Sequence, residues 1–333
     1  MKKIFFINFI SVILIILLFE LLFGYWFDEN NFGIYARKNR DRNEFYNVEY
    51  SKYKKKVIYK RNTYGFREDT NIEPKDIKII FLGGSTGNER FKNYNDTIVG
   101  QLNKKNTFHK IINASVDGKT TNGYINDFIF WFPKLKNFSP EVYIAYVGIN
   151  DSNYNQPLKH DLLKKNKLIF QIRDLISNNS IIIELCKKII FFYKSFTDHY
   201  KFRYNANPDL YKNFKYLSYE QAIKKYDESI LKKKYNLLIQ RYLERLNQLN
   251  QIIRNNNARL ILITQIRFNG LNEQLFVINE TTKEYAKHNK IDIIKLDEII
   301  TMEVDDFYDE VHTTPKGSEK IAEKVFSKLL KIL

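Results

Sequence analysis

From Asp76 onward, the sequence alternates short apolar runs with longer amphipathic segments, and this alternation restricts the fold more than any other feature. Each short run is apolar on both of its faces, which is typical of strands in a parallel sheet that helices cover on both sides. The sequence therefore predicts an α/β fold: a three-layer α/β/α sandwich with a five-stranded, mainly parallel sheet of the flavodoxin-like type. The predicted strands are residues 77–82, 110–114, 141–147, 258–264 and 291–296.

Helical periodicity fills the segments between these strands. The last helix is expected to have Thr314 as its N-cap and Pro315 at its first position, where proline is tolerated. The predicted helices lie around residues 97–103, 122–136, 226–255, 272–288 and 315–330.

Two further segments precede the α/β domain, which we assign to residues 76–333. Residues 28–75 are polar and aromatic, with glycine and proline as punctuation, and we expect an irregular connector there. Residues 1–27 contain a predominantly apolar stretch from Ile4 to Phe27. A helix of about 24 such residues is roughly 36 Å long, enough to cross a bilayer core of about 30 Å.

We interpret residues 1–27 as an uncleaved transmembrane anchor that contacts membrane lipid. Tyr25 and Trp26 fall where an interfacial aromatic belt is expected. A cleavable signal peptide is the alternative, but the apolar stretch is long for one and FGYWFDEN offers no small-x-small cleavage site. Glu20 lies about two turns from the far end, so that its carboxylate can lean toward the membrane interface.

The charges around the anchor leave its orientation open. Lys2 and Lys3 favour an N-terminus on the inside of the membrane. A basic cluster just beyond the span favours the opposite orientation, with members Arg37, Lys38, Arg40 and Arg42.

Between about residues 155 and 225 the alternation breaks, and we expect a helical insertion. Residues 159–245 carry 19 Lys and Arg against 9 Asp and Glu, a net charge of +10, so most of the chain's net charge of +16 is local. Apolar residues recur there at helical spacing on one stripe, opposite a basic face. The stripe contains Ile182, Leu185, Ile189, Phe192 and Phe196, and the basic face contains Lys187, Lys188 and Lys194.

Two interpretations of this amphipathic segment remain open. One is a helix that packs on its own domain with a solvated basic face. The other is a membrane-surface helix, or a lid over the sheet edge, that contacts anionic lipid or a polyanionic glycan. Nucleic-acid binding is not expected, because no reading motif accompanies the charge. A second membrane span is not expected either, since Glu184, Lys187 and Lys188 interrupt the run.

Cysteine and histidine usage restricts the classes of site. Cys186 is the single cysteine, which excludes an internal disulfide and a cysteine-based zinc site. A lone thiol in an apolar stretch is expected to be a small core or interface residue. The histidines other than His312 are scattered without metal-ligand spacing, so we expect neither a metal nor another cofactor.

Chemically suggestive residues follow three of the predicted strands. Ser85 in GGSTGN opens a predicted helix, and its backbone N–H can point at a developing oxyanion. Gly118 in NASVDGKTT has no side chain to obstruct its N–H, and Asn150 in YVGINDSN can present a side-chain amide. Taken singly, a turn glycine and a loop asparagine are ordinary. Because the carboxyl ends of parallel strands meet at one edge, we expect all three to meet there.

A partner for Ser85 is predicted near the C-terminus, in YDEVHTTPKG. On a tight turn, the three-residue spacing of Asp309 and His312 brings a carboxylate to one imidazole nitrogen and leaves the other open. That arrangement suits a histidine that accepts the proton of a serine nucleophile. The same Asp-x-x-His pattern also fits an ordinary surface turn.

Together, these four segments resemble the blocks of the SGNH hydrolase superfamily, the GDSL-type esterases and lipases, over about residues 60–330. GGST matches the nucleophile block, NASVDGKT and GIND match the two oxyanion blocks, and DEVH matches the Asp-x-x-His block. One residue departs from the family pattern: Gly84 replaces the usual aspartate, and this blurs any inference about substrate. The GFR element at residues 65–67 is similar to the membrane-anchored bacterial branch.

The resemblance implies a catalytic triad of Ser85, Asp309 and His312, with an oxyanion hole of Ser85, Gly118 and Asn150. It further implies a serine esterase acting on an O-acyl ester, with acetyl expected, of a cell-envelope glycan or lipid. That substrate would place the catalytic domain outside the cytoplasm. An O-acyltransferase acting on a surface polysaccharide, or an inactive tethered glycan-binding module, remain as alternatives.

Overall fold

The computed structural model describes residues 2–27, 42–50, 53–105, 109–152, 168–196, 201–203 and 214–333. Its strands are β1 (Arg42–Tyr50), β2 (Tyr53–Arg61), β3 (Ile79–Leu82), β4 (Ile111–Asn113), β5 (Val142–Tyr146), β6 (Lys201–Arg203), β7 (Arg259–Ile263) and β8 (Asp292–Ile294).

The α-helices fill most of the remaining described chain. They are α1 (Lys2–Phe23), α2 (Ser85–Asn88), α3 (Ile98–Lys105), α4 (Thr121–Phe130), α5 (Ile149–Ser152), α6 (Leu168–Asn179), α7 (Ile181–Phe196), α8 (Tyr219–Lys225), α9 (Glu228–Lys234), α10 (Asn236–Asn255), α11 (Glu273–Asn289), α12 (Leu296–Ile299) and α13 (Pro315–Ile332).

The central sheet has five strands in the order β4-β3-β5-β7-β8, and every neighbouring pair is parallel. Each of its strands lies within one of the runs predicted from the sequence. The predicted α/β/α sandwich with a parallel sheet is therefore confirmed.

Both faces of the sheet are buried, which explains why its strands lack a polar face. In β3, Ile80 and Leu82 pack into the layer formed by α4, α10 and α11, whereas Ile79 and Phe81 pack into the layer formed by α3 and α13. Full burial of a large apolar side chain stabilises a fold by roughly 1.5–3 kcal/mol. A polar residue at any of these positions would be destabilising on either face.

The strand order creates a switch point between β3 and β5. The chain passes from β3 to β4 on one side and returns to place β5 on the other side of β3. The connections therefore diverge beyond the carboxyl ends of β3 and β5 and leave a crevice there, which is the usual ligand site of open α/β sheets. Ser85 follows β3 and Asn150 follows β5.

The expectation of an irregular connector over residues 28–75 is wrong for a large part of it. Strands β1 and β2 pair as an antiparallel hairpin, and β6 extends it as a parallel third strand. In β2, Val57, Tyr59 and Arg61 alternate as buried residues with the more exposed Ile58 and Lys60. A strand is usually recognised from alternating apolar and polar residues. In β2 an arginine occupies an inner position, so this alternation is absent and the sequence did not predict the strand.

The N-terminal helix is long and apolar enough to cross a membrane over Lys3–Phe23, with a mean hydropathy of 2.8. A signal sequence near the N-terminus can also form a helix that is this long and apolar, so the helix is compatible with either role.

The predicted insertion contains helices α6, α7 and α8, but it also contributes strand β6, which pairs with β1. Residues 153–167, 197–200 and 204–213 of this region lie outside the described residues. Of the two positions expected for Cys186, core or interface, the core position is wrong, because Cys186 is exposed on α7. Leu185, Ile189 and Phe192 of the predicted stripe are exposed as well.

Candidate active site

Ser85 lies at the first position of α2, directly beyond the end of β3. The turn that presents it is tight because Gly83 and Gly84 allow close approach of neighbouring loops. A β-carbon on Gly84 would lie 2.3 Å from Asn150 Nδ2, and one on Gly83 would lie 2.6 Å from Ser115 Oγ. Glycine at these positions therefore brings Ser85 against the segments that follow β4 and β5. Ser85 itself is partly exposed.

Asn150 is held in a fixed orientation beside this turn. Its Nδ2 donates a hydrogen bond of 2.7 Å to the carbonyl oxygen of Lys119. The preceding amide, of Ile149, donates to Gln265 Oε1 at 2.6 Å and secures the start of α5. An asparagine amide carries two N–H groups. One of them therefore fixes the side chain, and the other can serve an oxyanion in the crevice.

Gly118 has a φ of 76°, in the left-handed region that favours glycine. Its loop is fixed by residues of the hairpin and of α2. Arg61 Nη2 donates to the carbonyl oxygen of Ser115 at 2.5 Å and to Asn88 Oδ1 at 3.0 Å. Asn88 Nδ2 in turn donates to Asp117 Oδ1 at 2.7 Å.

Arg61 and Asn88 are therefore positioning residues that the sequence analysis missed. Arg61 is buried, and its Nη1 also donates to the carbonyl oxygen of Gly65 at 2.5 Å. A basic residue in an apparent connector gives no sequence signal for such a role. The GFR element nearby was the only hint, since its backbone supplies one of these acceptors.

Backbone amides at the crevice are available for an oxyanion. Within the described turns and loops, the N–H groups of Ser85 and Gly118 do not donate to another backbone carbonyl. The Ser85 amide also lies at the N-terminal end of a helix, where donors point outward. With the Asn150 amide, the sheet edge offers donors from three different loops.

Asp309 and His312 form a hydrogen-bonded pair on the loop before α13. Asp309 Oδ2 lies 2.6 Å from His312 Nδ1. Asp309 Oδ1 accepts the backbone N–H groups of Val311 at 2.8 Å and of His312 at 2.7 Å. Because a carboxylate accepts at Nδ1, that nitrogen carries a proton and Nε2 is left to meet a serine hydroxyl.

The carboxylate form of Asp309 is stabilised by these contacts. Partial burial acts to raise its pKa, but the hydrogen bond to His312, the charge of His312 and the two backbone donors outweigh burial and hold the pKa below its usual range. The Tyr308 ring stacks on the imidazole, with centroids 5.6 Å apart and an interplanar angle of 11°. Tyr308 packs against Val48 and Val57 of the hairpin, so the element predicted to be irregular also supports His312.

A buried ion pair joins the segment that contains Ser85 to the loop that contains His312. Lys92 Nζ contacts the Glu89 carboxylate and donates to Thr313 Oγ1 at 3.0 Å. Glu89 Oε1 accepts hydrogen bonds from Thr313 Oγ1 at 3.2 Å and from Ser318 Oγ at 2.6 Å. Glu89 ends the turn of helix that starts at Ser85, and Thr313 follows His312 directly.

The buried pair therefore holds the segment that contains Ser85 against the loop that contains His312, although 227 positions separate these two residues in the chain. The predicted cap of α13 contributes to the same arrangement, since Thr314 Oγ1 accepts the N–H of Gly317. No pattern in the sequence marks the pair, because Glu and Lys three residues apart ordinarily lie on a solvated helix face.

The structure thus places every predicted site residue at the carboxyl edge of the sheet or on the loop tied to it. Ser85, Gly118 and Asn150 follow β3, β4 and β5, and Asp309 and His312 are hydrogen-bonded. In the described part of the chain, no group of three or more His, Cys, Asp or Glu side chains is placed to hold a metal ion.

Comparison with known proteins yields one family and several similar folds. The model of the GDSL-like lipase/acylhydrolase family matches residues 31–325. No curated protein matched the sequence. Among solved structures, the psychrotrophic esterase EstA from Pseudoalteromonas sp. is 12% identical with a TM-score of 0.45, and covers 77% of this chain and 97% of its own.

Two further structures have comparable similarity. A member of the lipolytic G-D-S-L family from Veillonella parvula is 14% identical with a TM-score of 0.44, over 77% of this chain and 99% of its own. The acetyl xylan esterase AlAXEase is 14% identical with a TM-score of 0.42, over 75% of this chain and 98% of its own.

The family match spans nearly the whole chain, including the hairpin that carries Arg61 and every residue of the candidate site. This chain belongs to the GDSL-like lipase/acylhydrolase family and is an ester-hydrolysing enzyme.

Proposed function

We propose that the protein is a membrane-anchored serine esterase that removes an O-acyl group, acetyl in the simplest case, from a cell-envelope glycan or lipid. The observation that carries the proposal is the hydrogen bond between Asp309 and His312 on a loop that Glu89 and Lys92 join to the Ser85 segment. Such a pair orients an imidazole toward a nucleophile on the neighbouring element.

The mechanism follows from the positions of the donors. Ser85 Oγ attacks the acyl carbonyl carbon while His312 Nε2 takes its proton. The tetrahedral oxyanion is held by the Ser85 and Gly118 N–H groups and the Asn150 amide. Collapse of this intermediate breaks the ester bond, and His312 gives its proton to the leaving alcohol. Water then attacks the acyl-enzyme with His312 as base, which releases the free acid and regenerates Ser85.

Anchoring by an uncleaved α1 is supported by contacts between its end and the insertion. Ser180 Oγ donates to Glu20 Oε1 at 2.5 Å, and the Tyr25 N–H donates to the carbonyl oxygen of Asn179 at 2.8 Å. Removal of residues 1–27 as a signal peptide would delete these contacts from the folded protein. An envelope substrate would place the α/β domain on the extracytoplasmic side.

A glycan substrate is supported by a pocket of about 700 Å³ that reaches the histidine loop at Glu310. Its walls combine aromatic faces with basic side chains, a combination that can hold a polar group larger than the acyl moiety. The aromatic residues are Tyr216, Tyr226 and Phe268, and the basic residues are Lys215, Lys225 and Arg267.

The decisive test compares the full-length enzyme with Ser85→Ala on acetylated model esters and envelope glycans, measuring released acid. We expect Ser85→Ala to lower turnover by several orders of magnitude, because loss of one triad member disables the whole unit. Ser327→Ala, an exposed serine on α13, is the matched control and should leave turnover unchanged. Retained hydrolysis by Ser85→Ala would refute the proposal. Measuring acyl-sugar formation beside acid release separates hydrolysis from transfer to a sugar hydroxyl.

A further inference from the structure

Helices α6 and α7 carry large apolar side chains with high solvent exposure. The exposed fraction of each side chain lies between 41% and 72%, which is high for residues of this kind in a folded domain. On α6 they are Leu168, Ile169, Ile172, Leu175 and Ile176, and on α7 they are Leu185, Ile189, Ile190, Phe192 and Tyr193.

The apolar and charged residues of α7 lie on different faces. At 100° per residue, the five exposed apolar residues of α7 fall within one arc of about 160°, which also contains Cys186. Lys187 and Lys188 fall outside this arc, and Lys188 forms an ion pair of 3.0 Å with Glu184. A helix with one exposed apolar face and one basic face is typical of a segment that lies in a membrane interface. The alternative that this helix packs its stripe on its own domain does not fit the exposure of these residues.

The start of α7 is joined to the end of α1 through the Glu20 carboxylate. Glu20 Oε1 accepts from Ser180 Oγ at 2.5 Å and from the Ile182 N–H at 3.2 Å, and Oε2 accepts from the Ile181 N–H at 3.2 Å. Trp26 Nε1 also donates to Oε2, at 3.0 Å. The carboxylate therefore caps the N-terminus of α7, where free N–H groups and the helix dipole favour a negative charge.

This contact fixes the level of α7 relative to α1. Glu20 lies in the last turn of α1, beside the aromatic residues Tyr25 and Trp26 that mark a membrane–water boundary. Residues 179–182 meet α1 at that level, so the exposed apolar faces of α6 and α7 start where the apolar surface of the anchor ends. A carboxylate within an apolar helix is costly unless it is paired, and here the helix terminus supplies the partners.

We infer that α6 and α7 form a second membrane contact, an interfacial helical hairpin that lies on the same bilayer as α1 and is locked to it by Glu20. Its apolar faces enter the boundary between headgroups and acyl chains, and Lys187 and Lys188 remain at the level of anionic headgroups. The inference rests on the proposed anchoring by α1. Two attachment points instead of one would hold the catalytic edge at a fixed orientation to the membrane surface.

The native cysteine permits a direct test in the full-length protein. Cys186 is exposed and lies on the apolar side of α7, so a nitroxide attached there reports its surroundings. The protein is reconstituted into vesicles of neutral and anionic phospholipid, and the accessibility of the label to oxygen is compared with that to a water-soluble nickel chelate. The matched control is Cys186→Ser combined with Lys188→Cys, which places the label two residues away on the basic face.

We expect the ratio of oxygen to nickel accessibility to be several-fold higher at position 186 than at position 188. Glu20→Ala should lower the ratio at position 186, since the cap that fixes α7 is lost, and Ile189→Asp with Phe192→Asp should lower it further. Equal, water-like ratios at both positions in protein that floats with the vesicles would overturn the inference and leave the anchor intact. Protein that does not float with the vesicles would refute the proposed anchoring and this inference with it, whereas hydrolysis by the same sample reports separately on the active site.

Discussion

At the scale of single residues, the candidate site depends on donors that are held before any substrate arrives. Asn150 is oriented by the carbonyl oxygen of Lys119, and the absence of a side chain at Gly84 leaves room for its amide. Gly84 stands where the family usually has aspartate, and in this chain a β-carbon there would collide with Asn150 Nδ2. The replacement of aspartate by glycine at position 84 is therefore consistent with the close packing of Asn150 against this turn.

The proposed oxyanion role of Asn150 predicts a specific loss of turnover. We expect Asn150→Ala to lower kcat by about 10² to 10³ with little change in stability, because one preorganised donor is removed. Gly84→Ala should also lower kcat by displacing the Asn150 amide. In the double variant the Gly84 substitution should add little, since its target is already absent. Turnover of Asn150→Ala within about threefold of wild type would remove Asn150 from the site.

The lowered pKa of Asp309 leads to a prediction for how the stability of the fold depends on pH. Its pKa in the folded protein lies below its usual range, so its contribution to stability is complete above the unfolded value of about 3.9 and is lost as the pH falls through the lower folded value. Asp309→Asn should therefore be less stable than wild type at neutral pH, by urea unfolding, and the gap should narrow toward pH 3. A gap that does not change with pH would contradict the proposed charge of this carboxylate.

The Asp309→Asn variant should also lower kcat by roughly 10⁴ relative to wild type, because the wrong imidazole tautomer of His312 is favoured.

At the scale of elements, the sequence predicts the central sheet and its helices well but misses what surrounds the site. Strands such as β5 are apolar on both faces, and that pattern depends only on burial between two helical layers. The hairpin β1–β2 buries Arg61 and exposes Ile58, so its inner face is defined by hydrogen bonds to loops distant in sequence. Such hydrogen bonds between distant segments produce no apolar and polar periodicity in the sequence.

The residues of the candidate site also fall into two groups, those that sequence motifs indicate and those that only tertiary contacts reveal. Ser85, Gly118, Asn150, Asp309 and His312 could be chosen from the sequence because each lies in a short motif after a strand or before a helix. Glu89, Lys92, Arg61 and Asn88 could not, since their roles depend on partners that folding brings together. The sequence was sufficient to propose the first group of residues, whereas the long-range contacts that support them required the structure.

The buried pair Glu89–Lys92 predicts coupled effects on stability and catalysis. Removing one partner leaves a buried charge without compensation, so Glu89→Gln and Lys92→Met should each cost about 3–5 kcal/mol of unfolding free energy. The double variant should cost less than the sum of the two, which a double-mutant cycle measures. Its kcat should fall while KM changes little, because Thr313 no longer fixes the histidine loop. Additive single effects would show that the two charges do not interact.

At the scale of the whole molecule, the proposal joins a catalytic domain to a membrane through an uncleaved helix. The mature protein should then retain residues 1–27, detected as N-terminal peptides by mass spectrometry, and remain in the membrane fraction after carbonate extraction. Contacts of Glu20 and Tyr25 with the insertion require that these residues stay attached. A mature chain that begins near Asp28, released from membranes, would contradict the anchor but not the esterase.

The central claim is that Ser85 becomes a nucleophile through His312, and covalent labelling tests it most directly. The full-length protein is treated with a fluorophosphonate, and the modified residue is located by peptide mass spectrometry. The account predicts a single adduct on Ser85 that forms in the wild type and is strongly slowed in His312→Ala, while Ser327→Ala labels normally. An enzyme that hydrolyses esters while Ser85 stays unlabelled would contradict it.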